Sequence, residues 1–515
     1  MNQIYREPIS AASQTYDAIV VGGGIYGVML SLEIAAMGLR SLLLEKGDFG
    51  GATSFNSLRI VHGGFRYLQS LDLHRFFESV GERRWFLQNF PQLVKPLPCL
   101  MPLYGRGLRQ PPILRIALWL NDLLSLHRDR GVVTENHLPT GKIISAAKVK
   151  KLFPSVDTAD LQGAAVWYDA CMPNSQRLLI EILRWGCSLG ATALNYVEAK
   201  QLLTEDNRAS GILARDNISD RNYKFKAPVV INATGAWCRE VSTQFDRDLP
   251  ELFKPSLAWN ILFDRPTPSD FALAVAPKKP GGQTYFLHPW QGRLLAGTVH
   301  TPWSEKISET PMPDGEQIED FINDLNYAIP QLKLNSKEIL RVFSGLLPVT
   351  ETGGTKLAKR ETIIDCGRQG GIEGLYAVSG VKFTTSRLVA TKTIKIVFPQ
   401  AKKSDRTKMR SPALTSKGIF DYDWYPQSNN SDWQKDLRSI IAEESVLHLD
   451  DLILRRTNIG DNPSRALNIA PMICDLFNWC DRQRQRELSR LATNFINRGF
   501  KVDSQFFENK YLGKV

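Results

Sequence analysis

The sequence predicts an α/β protein built around a Rossmann-type nucleotide-binding unit. Near the N-terminus a short apolar strand runs into a glycine-rich turn, and an apolar helix follows. In the middle of the chain, residues 283–287 and 293–299 alternate in polarity, as the strands of an antiparallel sheet do. The length of 515 residues exceeds what one hydrophobic core usually serves, so we expect two or three domains.

Composition narrows the range of ligands. The chain has 64 basic and 53 acidic residues, a formal net charge of +11, which suits a phosphorylated ligand, an anionic membrane surface or a nucleic acid. A nucleic acid is disfavoured because no basic run is interleaved with aromatic residues. The seven cysteines are scattered and none belongs to a two-residue-spaced pair, which predicts reduced thiols and no metal site.

The sequence predicts a cytoplasmic protein because targeting signals are not found in it. Residues 1–15 are polar and lack the apolar core of a signal peptide. No segment reaches the ~18 uninterrupted apolar residues that a transmembrane helix needs. Residues 111–124 begin with two prolines and predict an apolar helix with arginines nearby. The sequence favours a helix packed within the protein, and peripheral contact with the inner face of the membrane stays open as the alternative.

The glycine-rich turn has the parts of a dinucleotide site. Residues 17–21 form a β-branched apolar run, typical of a buried parallel strand, and Gly22, Gly24 and Gly27 follow in the pattern G-x-G-x-x-G. Gly22 allows a tight turn, Gly24 lets backbone amides approach a pyrophosphate, and Gly27 lets the helix pack closely on the strand.

The elements after the turn complete this unit. A helix is predicted over 28–37 and a second strand over 40–44, which ends at Glu45. Glu45 lies 21 residues after Gly24, where a carboxylate can accept hydrogen bonds from ribose hydroxyls. This unit predicts a dinucleotide ligand but does not distinguish NAD from FAD.

Later segments carry a resemblance to a known family. They are a small-residue loop with Thr53 and Ser54, the segment 62–67, the strand end 232–235 and the loop 380–385. In this order and spacing they resemble the FAD-dependent glycerol-3-phosphate dehydrogenases, within the amino-acid-oxidase-like (DAO) flavoprotein superfamily. Residues 286–292 with 297–298 are similar to the family's substrate-domain strands, and residues 443–457 resemble the start of its C-terminal helical domain.

The resemblance implies a domain organisation and a reaction. The expected organisation is a discontinuous Rossmann-type FAD-binding domain (16–98, 164–240 and 341–399), an antiparallel-sheet substrate domain (99–163 and 241–340), a linker (400–416) and a C-terminal helical domain (417–515). The expected reaction is hydride transfer from an alcohol of a small anionic substrate to flavin N5, with glycerol 3-phosphate as the default substrate. A quinone or another electron acceptor would then reoxidise the flavin.

The resemblance also assigns residues to the two ligands. Those implied at the FAD are Gly22, Gly24, Ile25, Tyr26, Gly27, Glu45, Lys46, Thr53, Ser54, Val197, Ala233, Thr234, Gly235, Gly380, Lys382, Phe383 and Thr384. Those implied on the substrate side are His62, Arg66, Tyr67, Arg360 and Lys382. A fixed cation such as Lys382 stabilises the negative charge that hydride transfer places on a flavin. The proton acceptor stays open among the imidazole side chains of His62, His288 and His300.

Departures from the family pattern fall mainly on the substrate side. Leu347 stands where the family carries an active-site arginine, and His300 stands where it carries an aspartate. Residues 174–175 replace an acidic pair, and Ser386 replaces a tyrosine. Because a leucine cannot pair with a phosphate, the substrate need not be glycerol 3-phosphate. An amine or amino-acid-type flavin oxidase and a flavin-binding protein without catalysis remain the alternatives.

Overall fold

The computed structural model describes residues 3–105, 107–276, 284–401 and 432–498. Its strands are β1 (Ala18–Val21), β2 (Ser41–Leu44), β3 (Ile60–Val61), β4 (Lys95–Leu103), β5 (Lys142–Ile144), β6 (Gly163–Cys171), β7 (Thr192–Leu194), β8 (Val197–Glu205), β9 (Arg208–Asp216), β10 (Arg221–Lys226), β11 (Val230–Asn232), β12 (Pro255–Phe263), β13 (Ala272–Val275), β14 (Tyr285–Trp290), β15 (Arg293–Pro302), β16 (Ile339–Pro348), β17 (Thr362–Asp365) and β18 (Leu375–Ser379).

Its helices are α1 (Pro8–Ala12), α2 (Ile25–Ala35), α3 (Phe65–Gln69), α4 (Leu73–Asn89), α5 (Pro111–Leu124), α6 (Ala146–Leu152), α7 (Ser175–Ser188), α8 (Cys238–Phe245), α9 (Gly315–Ala328), α10 (Ser386–Val397), α11 (Asp432–Glu443), α12 (Pro463–Cys474) and α13 (Asp481–Asn497). A π-helical turn spans Asp451–Arg456.

One sheet forms the core of the nucleotide-binding domain. Its strands follow the order β17-β18-β11-β1-β2-β7, and all neighbours are parallel except the edge pair β17 and β18. β1 and β2 are buried along their whole length, as strands covered on both faces must be. The Rossmann-type unit is confirmed, although α2 begins at Ile25 rather than at residue 28 because its first turn follows Gly24 directly.

A second, larger sheet is mainly antiparallel. Its order is β16-β12-β15-β14-β13-β4-β6-β3, with β5 added to β6, and every pair is antiparallel except β13 with β4. The predicted antiparallel strands are β14 and β15, joined by a turn in which Gln291 and Gly292 have φ of 50° and 75°. Residue 283 of the first predicted strand lies outside the described residues. A separate antiparallel sheet contains β8, β9 and β10.

The sheets divide the chain differently from the predicted domain boundaries. The boundaries near residues 98, 164 and 341 fall inside β4, β6 and β16, all strands of the larger sheet. β3 and most of β6 lie in segments predicted for the FAD-binding domain, yet they pair with each other within the larger sheet. Segments that carry predicted cofactor motifs thus continue directly into strands of the larger sheet, and the division into domains stays a prediction.

The C-terminal helices form a core of their own. Apolar side chains of α11, α12, α13 and the π-helical turn pack together there. Buried ion pairs tie this part to the nucleotide-binding domain, among them Arg177 with Glu444 at 2.8 Å and Arg456 with Asp48 at 2.7 Å. Residues 402–416 of the predicted linker, and residues 417–431 and 499–515 of the predicted helical domain, lie outside the described residues.

Helix α5 spans the segment predicted at 111–124. Within α5 the buried side chains are Leu114 and Leu118, whereas Ile116 and Trp119 are 62% and 61% exposed. Helix α5 is therefore packed against the protein through one face, that of Leu114 and Leu118, while its other face is exposed. Within the described ranges, no helix has both the length and the apolar character needed to cross a membrane.

Candidate functional site

A cavity of about 900 Å³ is lined by residues of both large sheets. The turns after β1, β2, β11 and β18 line one part of it, and Phe286, His300 and Leu347 of the larger sheet line another. Because the carboxyl ends of parallel strands meet at one edge of a sheet, these four turns lie together although they are far apart in sequence. Ligands of open α/β sheets bind in this position.

Nearly all of the residues assigned to FAD line this cavity. The lining residues among them are Gly22, Gly24, Ile25, Tyr26, Glu45, Lys46, Thr53, Ser54, Val197, Ala233, Thr234, Gly235, Gly380, Lys382, Phe383 and Thr384. The remaining one, Gly27, lies behind the turn. A Cβ atom on Gly27 would be 1.8 Å from the carbonyl oxygen of Gly22, so this glycine is required for close packing, as predicted.

The turn itself depends on backbone geometry. Gly22 has φ of 107°, and a Cβ there would lie 2.7 Å from the carbonyl oxygen of Ala233. The neighbouring loop closes on the start of α2, because the Ile25 amide donates to Ser54 Oγ at 3.0 Å and Thr53 Oγ1 donates to the Leu346 carbonyl at 3.2 Å. The loop containing Thr53 and Ser54 is thus fixed against both sheets.

Glu45 lies where a ribose-binding acid is expected. Its carboxylate accepts hydrogen bonds from the amides of Gly23 at 2.6 Å and Gly47 at 2.8 Å, and burial raises its pKa. Each carboxylate oxygen keeps a further lone pair for a ligand hydroxyl. Val197 donates its amide to the Glu45 carbonyl at 2.8 Å and so fixes the backbone there.

Lys46 lies at the edge of the cavity. Its Nζ lies 3.1 Å from a carboxylate oxygen of Glu309 and 4.4 Å from the centre of the Trp237 ring. Glu309 belongs to the segment between β15 and α9, so this ion pair joins the nucleotide-binding domain to the larger sheet across the cavity.

Tyr26 supports the loop after β18. Its hydroxyl donates to the Lys382 carbonyl at 2.7 Å and accepts from the Lys382 amide at 2.9 Å. A Cβ on Gly380 would lie 1.9 Å from Tyr26 Cζ, so glycine is required for the ring to pack there. The Tyr26 hydroxyl therefore holds the backbone of the loop that carries Lys382, a positioning role that the sequence does not indicate.

Lys382 and Arg66 place positive charge at one end of the cavity. Burial, together with the nearby charge of Arg66, lowers the pKa of Lys382 to about 8. Its Nζ lies 4.6 Å from the centre of the buried Tyr67 ring, and the Arg66 side chain is exposed to the cavity. An anion entering this end would meet both cations.

His62 forms a pair with a buried aspartate at the same end. His62 Nδ1 lies 3.2 Å from Asp169 Oδ2, and the imidazole is 48% exposed. Asp169 also accepts hydrogen bonds from the Gly63 amide at 2.7 Å and from Arg83 at 3.1 Å. Burial raises the pKa of Asp169, but the hydrogen bond and charge of His62 and the charge of Arg83 outweigh it, so the pKa is lowered. Sequence reasoning missed Asp169.

The other two histidines differ in their access to the cavity. His300 lines it, and burial together with the charge of Arg66 lowers the pKa of His300 to about 4. His288 is 2% exposed and does not line the cavity, and burial with the charges of Arg59 and His62 lowers its pKa to about 3. Both imidazoles are therefore neutral near pH 7, and His288 is too deeply buried to reach a ligand in the cavity.

Among the residues assigned to the substrate side, Arg360 does not line the cavity. Its side chain is exposed and lines a small separate hollow beside Tyr67 and Lys382. The chain before β17 places it on the outer side of these two residues, and its role at the substrate stays a prediction. Arg109 instead lines the cavity, with Nη2 donating to Thr284 Oγ1 at 3.0 Å.

Comparison with known proteins identifies the family. A family model described as FAD dependent oxidoreductase matches residues 17–394. The chain belongs to this family. It is 30% identical over 405 residues to a glycerol-3-phosphate dehydrogenase of Synechocystis sp., a match that covers 76% of this chain and 71% of that protein. It is 29% identical over 416 residues to the mitochondrial glycerol-3-phosphate dehydrogenase of Bos taurus, and here the chain spans only 55% of its relative.

Solved structures support the same fold. The glycerol-3-phosphate dehydrogenase from Bacillus halodurans, complexed with FAD, matches with a TM-score of 0.72 over 98% of this chain and 100% of that chain, at 18% identity. An L-α-glycerophosphate oxidase from Mycoplasma pneumoniae with FAD bound matches with a TM-score of 0.54 over 78% of this chain and 100% of that chain, at 13% identity. At these identities the likeness concerns the fold alone.

The described residues fit FAD, the cofactor of the family. One continuous cavity connects the turn at Gly22 with Lys382, and its volume of about 900 Å³ is near the upper end of the roughly 300–1,000 Å³ of small-ligand sites. The turn leaves a cradle of backbone amides at the start of α2, where a pyrophosphate binds, and Glu45 lies at the ribose position. The predicted cofactor is confirmed by the family match.

Proposed function

We propose that this protein oxidises an alcohol of a small anionic substrate with FAD as the hydride acceptor, and that glycerol 3-phosphate is the first substrate to test. One observation carries the proposal: Arg66, Lys382 and the His62–Asp169 pair converge on one end of the cavity that carries the dinucleotide turn. The two relatives compared above are glycerol-3-phosphate dehydrogenases, which supports the same substrate class.

The chain's own residues divide the remaining work. When bound, FAD supplies an acceptor for hydride. His62 accepts the proton of the alcohol, and Asp169 holds the imidazole through Nδ1 and stabilises its charged form. Arg66 and Lys382 bind the anionic group of the substrate, and Lys382 also stabilises negative charge that develops during the reaction.

Leu347 keeps a second candidate open. It is half-buried in β16 and lines the cavity where the family resemblance implies an arginine. Without that arginine, the substrate end of the cavity carries one cation fewer than the family resemblance implies. It therefore suits a single carboxylate as well as a phosphate, and oxidation of an amine or amino acid is the alternative. His300, with its pKa lowered to about 4, is the alternative proton acceptor.

Anaerobic reduction tests the proposal. Purified protein is mixed without oxygen with glycerol 3-phosphate, a 2-hydroxy acid or an amino acid while the flavin band at ~450 nm is followed. We expect rapid bleaching by glycerol 3-phosphate in the wild type and much slower bleaching in Arg66→Ala with its FAD retained. Bleaching by the amino acid alone would favour the second candidate. A protein that stays yellow with all three would support a flavin-binding protein without catalysis.

We further propose that a surface around α5 docks on a membrane, where a quinone would accept the electrons. Exposed apolar side chains gather there. They are Leu71, Leu73, Phe77, Ile113, Ile116, Trp119, Leu120, Leu123 and Leu126. Leu124 of α5 packs against a cluster formed by Tyr67, Phe76 and Val80, the last two of which belong to α4, so α5 and α4 are neighbours. Arg109 precedes α5 and lines the cavity, which brings this surface next to the substrate end.

Vesicle binding tests this surface. In co-sedimentation with vesicles containing an anionic phospholipid, Trp119→Ser should lower the partition coefficient by roughly tenfold, since a large apolar side chain no longer enters the interface. Tyr327→Ser is the matched control, because Tyr327 is 55% exposed on α9. Equal binding by the two variants would contradict the proposal. The location expected from the sequence, cytoplasmic and at the inner face of the membrane, stays a prediction.

A further inference from the structure

Helix α13 of the C-terminal domain presents one face to the cavity. Arg490, Asn494 and Arg498, the last being the residue that ends the helix, all line the cavity. They are spaced four residues apart, and this spacing places side chains on one face of a helix. The cavity is therefore completed by a part of the chain outside the two large sheets.

Arg490 and Asn494 are already engaged by a carboxylate. Arg490 Nε lies 2.8 Å from one oxygen of Asp450, and Asn494 Nδ2 donates to the other at 2.7 Å. Arg455 adds a further contact, with Nη2 at 3.3 Å from Asp450. These charges balance one another within the C-terminal domain.

Arg498 differs from its neighbours. Its Nη2 donates to the Gly51 carbonyl at 3.2 Å, and its Nε is buried without a hydrogen-bond partner among the described residues. No carboxylate of the described chain lies within ion-pair distance of it. Burial and the charge of Arg455 lower the pKa of Arg498 to about 10, which leaves it charged near pH 7. A buried guanidinium without an anion is costly, so this group suits an anionic ligand.

The contacts of Arg498 lead to the dinucleotide turn. Its Cζ lies 5.1 Å from the centre of the Phe55 ring, and Gly51 lies in the same loop as Phe55. That loop is bound to the turn by the Gly50 amide, which donates to the Gly23 carbonyl at 3.0 Å. The loop that Arg498 contacts is therefore hydrogen-bonded to the turn before α2, whose amides attract a pyrophosphate, and Arg498 and this turn line the same cavity.

We propose that Arg498 binds the pyrophosphate of FAD, so that the C-terminal domain completes the cofactor site. The guanidinium fork matches phosphate oxygens and supplies the charge that the backbone amides lack. This inference requires that the protein binds FAD, as its family does, and does not depend on the identity of the substrate. A protein that fails to oxidise glycerol 3-phosphate would therefore leave it intact.

The release of FAD from the full-length holoprotein tests the proposal. The rise in flavin fluorescence after dilution is followed for the wild type, Arg498→Ala, Arg498→Lys and the control Arg482→Ala, which removes an exposed arginine from the same helix. We expect release to be roughly 10- to 100-fold faster in Arg498→Ala, the effect of a lost charge-assisted hydrogen bond. Arg498→Lys should be intermediate, and Arg482→Ala unchanged.

Thermal unfolding separates a cofactor contact from a purely structural role. At a given concentration, a ligand that binds the folded state more weakly stabilises it less. Arg498→Ala should therefore reduce the increase in Tm that added FAD produces. A structural role through Gly51 alone would lower the Tm of the apoprotein and leave that increase unchanged, which would overturn the proposal. Wild-type release rates in Arg498→Lys and Arg498→Ala would overturn it as well. If Arg498→Ala does not fold, Arg498→Lys alone decides.

Discussion

The two ends of the cavity are built in different ways. The cofactor end is largely backbone: Gly22 and Gly27 leave no room for a side chain, and the amides of Gly23 and Gly47 hold Glu45. The substrate end is made of side chains on separate elements. They are His62, Arg66, Asp169, His300, Leu347 and Lys382. A site made of backbone changes only if the turn is lost, whereas a site made of side chains can change one residue at a time.

The largest effect is expected at the cofactor end. In Gly27→Ala the new Cβ would lie 1.8 Å from the Gly22 carbonyl oxygen, so the turn cannot keep its present backbone conformation. We expect the FAD content of the purified protein to fall by roughly tenfold or more, measured by absorbance. Gly81→Ala is the control, since a Cβ there meets nothing within 4 Å inside α4. Full FAD content in Gly27→Ala would contradict the conclusion that the cofactor end depends on the backbone of the turn.

A smaller effect, on rate rather than on binding, is expected for His62→Asn. Loss of the proton acceptor should lower the rate of flavin reduction by roughly 10²–10⁴-fold, while the FAD content stays that of the wild type. Stopped-flow reduction without oxygen gives the rate. An unchanged rate would indicate that His300 is the proton acceptor, so His300→Asn should be measured in the same experiment.

The charge of Lys382 gives the substrate end a pH dependence. Its pKa is lowered to about 8, so the amine is charged below that pH and neutral above it. We expect the KM for an anionic substrate to rise as the pH increases through 8. Lys382→Arg should abolish that rise, because a guanidinium stays charged. Steady-state KM values on both sides of pH 8 check this, and parallel profiles for the two proteins would contradict it.

The smallest effect is expected for Leu347→Arg. A guanidinium on β16 would restore a cation at the position where the family resemblance implies one. We expect the KM for glycerol 3-phosphate to fall by about tenfold or less, without change for an uncharged alcohol. Leu347→Met, which keeps the volume and adds no charge, is the control. A higher KM for glycerol 3-phosphate in Leu347→Arg would indicate that this pocket has been reshaped for another anion.

What could be predicted from the sequence follows from the same difference between the two ends. The unit from β1 to Glu45 was predictable because strand, turn, helix and acid follow at a spacing that geometry fixes. Asp169 was not predictable, because the antiparallel pairing of β3 with β6, with Val61 opposite Ala170, brings it to His62. No local pattern around Asp169 indicates that contact.

Two further differences have physical causes that a sequence pattern does not carry. Arg360 follows the family motif but lies on the outer side of Tyr67 and Lys382, since the path of the chain between β16 and β17 decides its position. Helix α5 is apolar enough to predict burial, yet its exposed face has no partner within the described ranges. Apolar character alone cannot distinguish a packed helix from one that meets a membrane.

The central claim is that one end of the cavity selects a small anion for oxidation by FAD. The most direct test compares anaerobic flavin reduction by glycerol 3-phosphate and by glycerol, which share the alcohol and differ in the charge. We expect glycerol 3-phosphate to reduce the flavin at least roughly 100-fold faster, and Arg66→Ala to remove most of that advantage, as loss of a charge-assisted contact implies. Equal rates for the two compounds in the wild type would contradict the account.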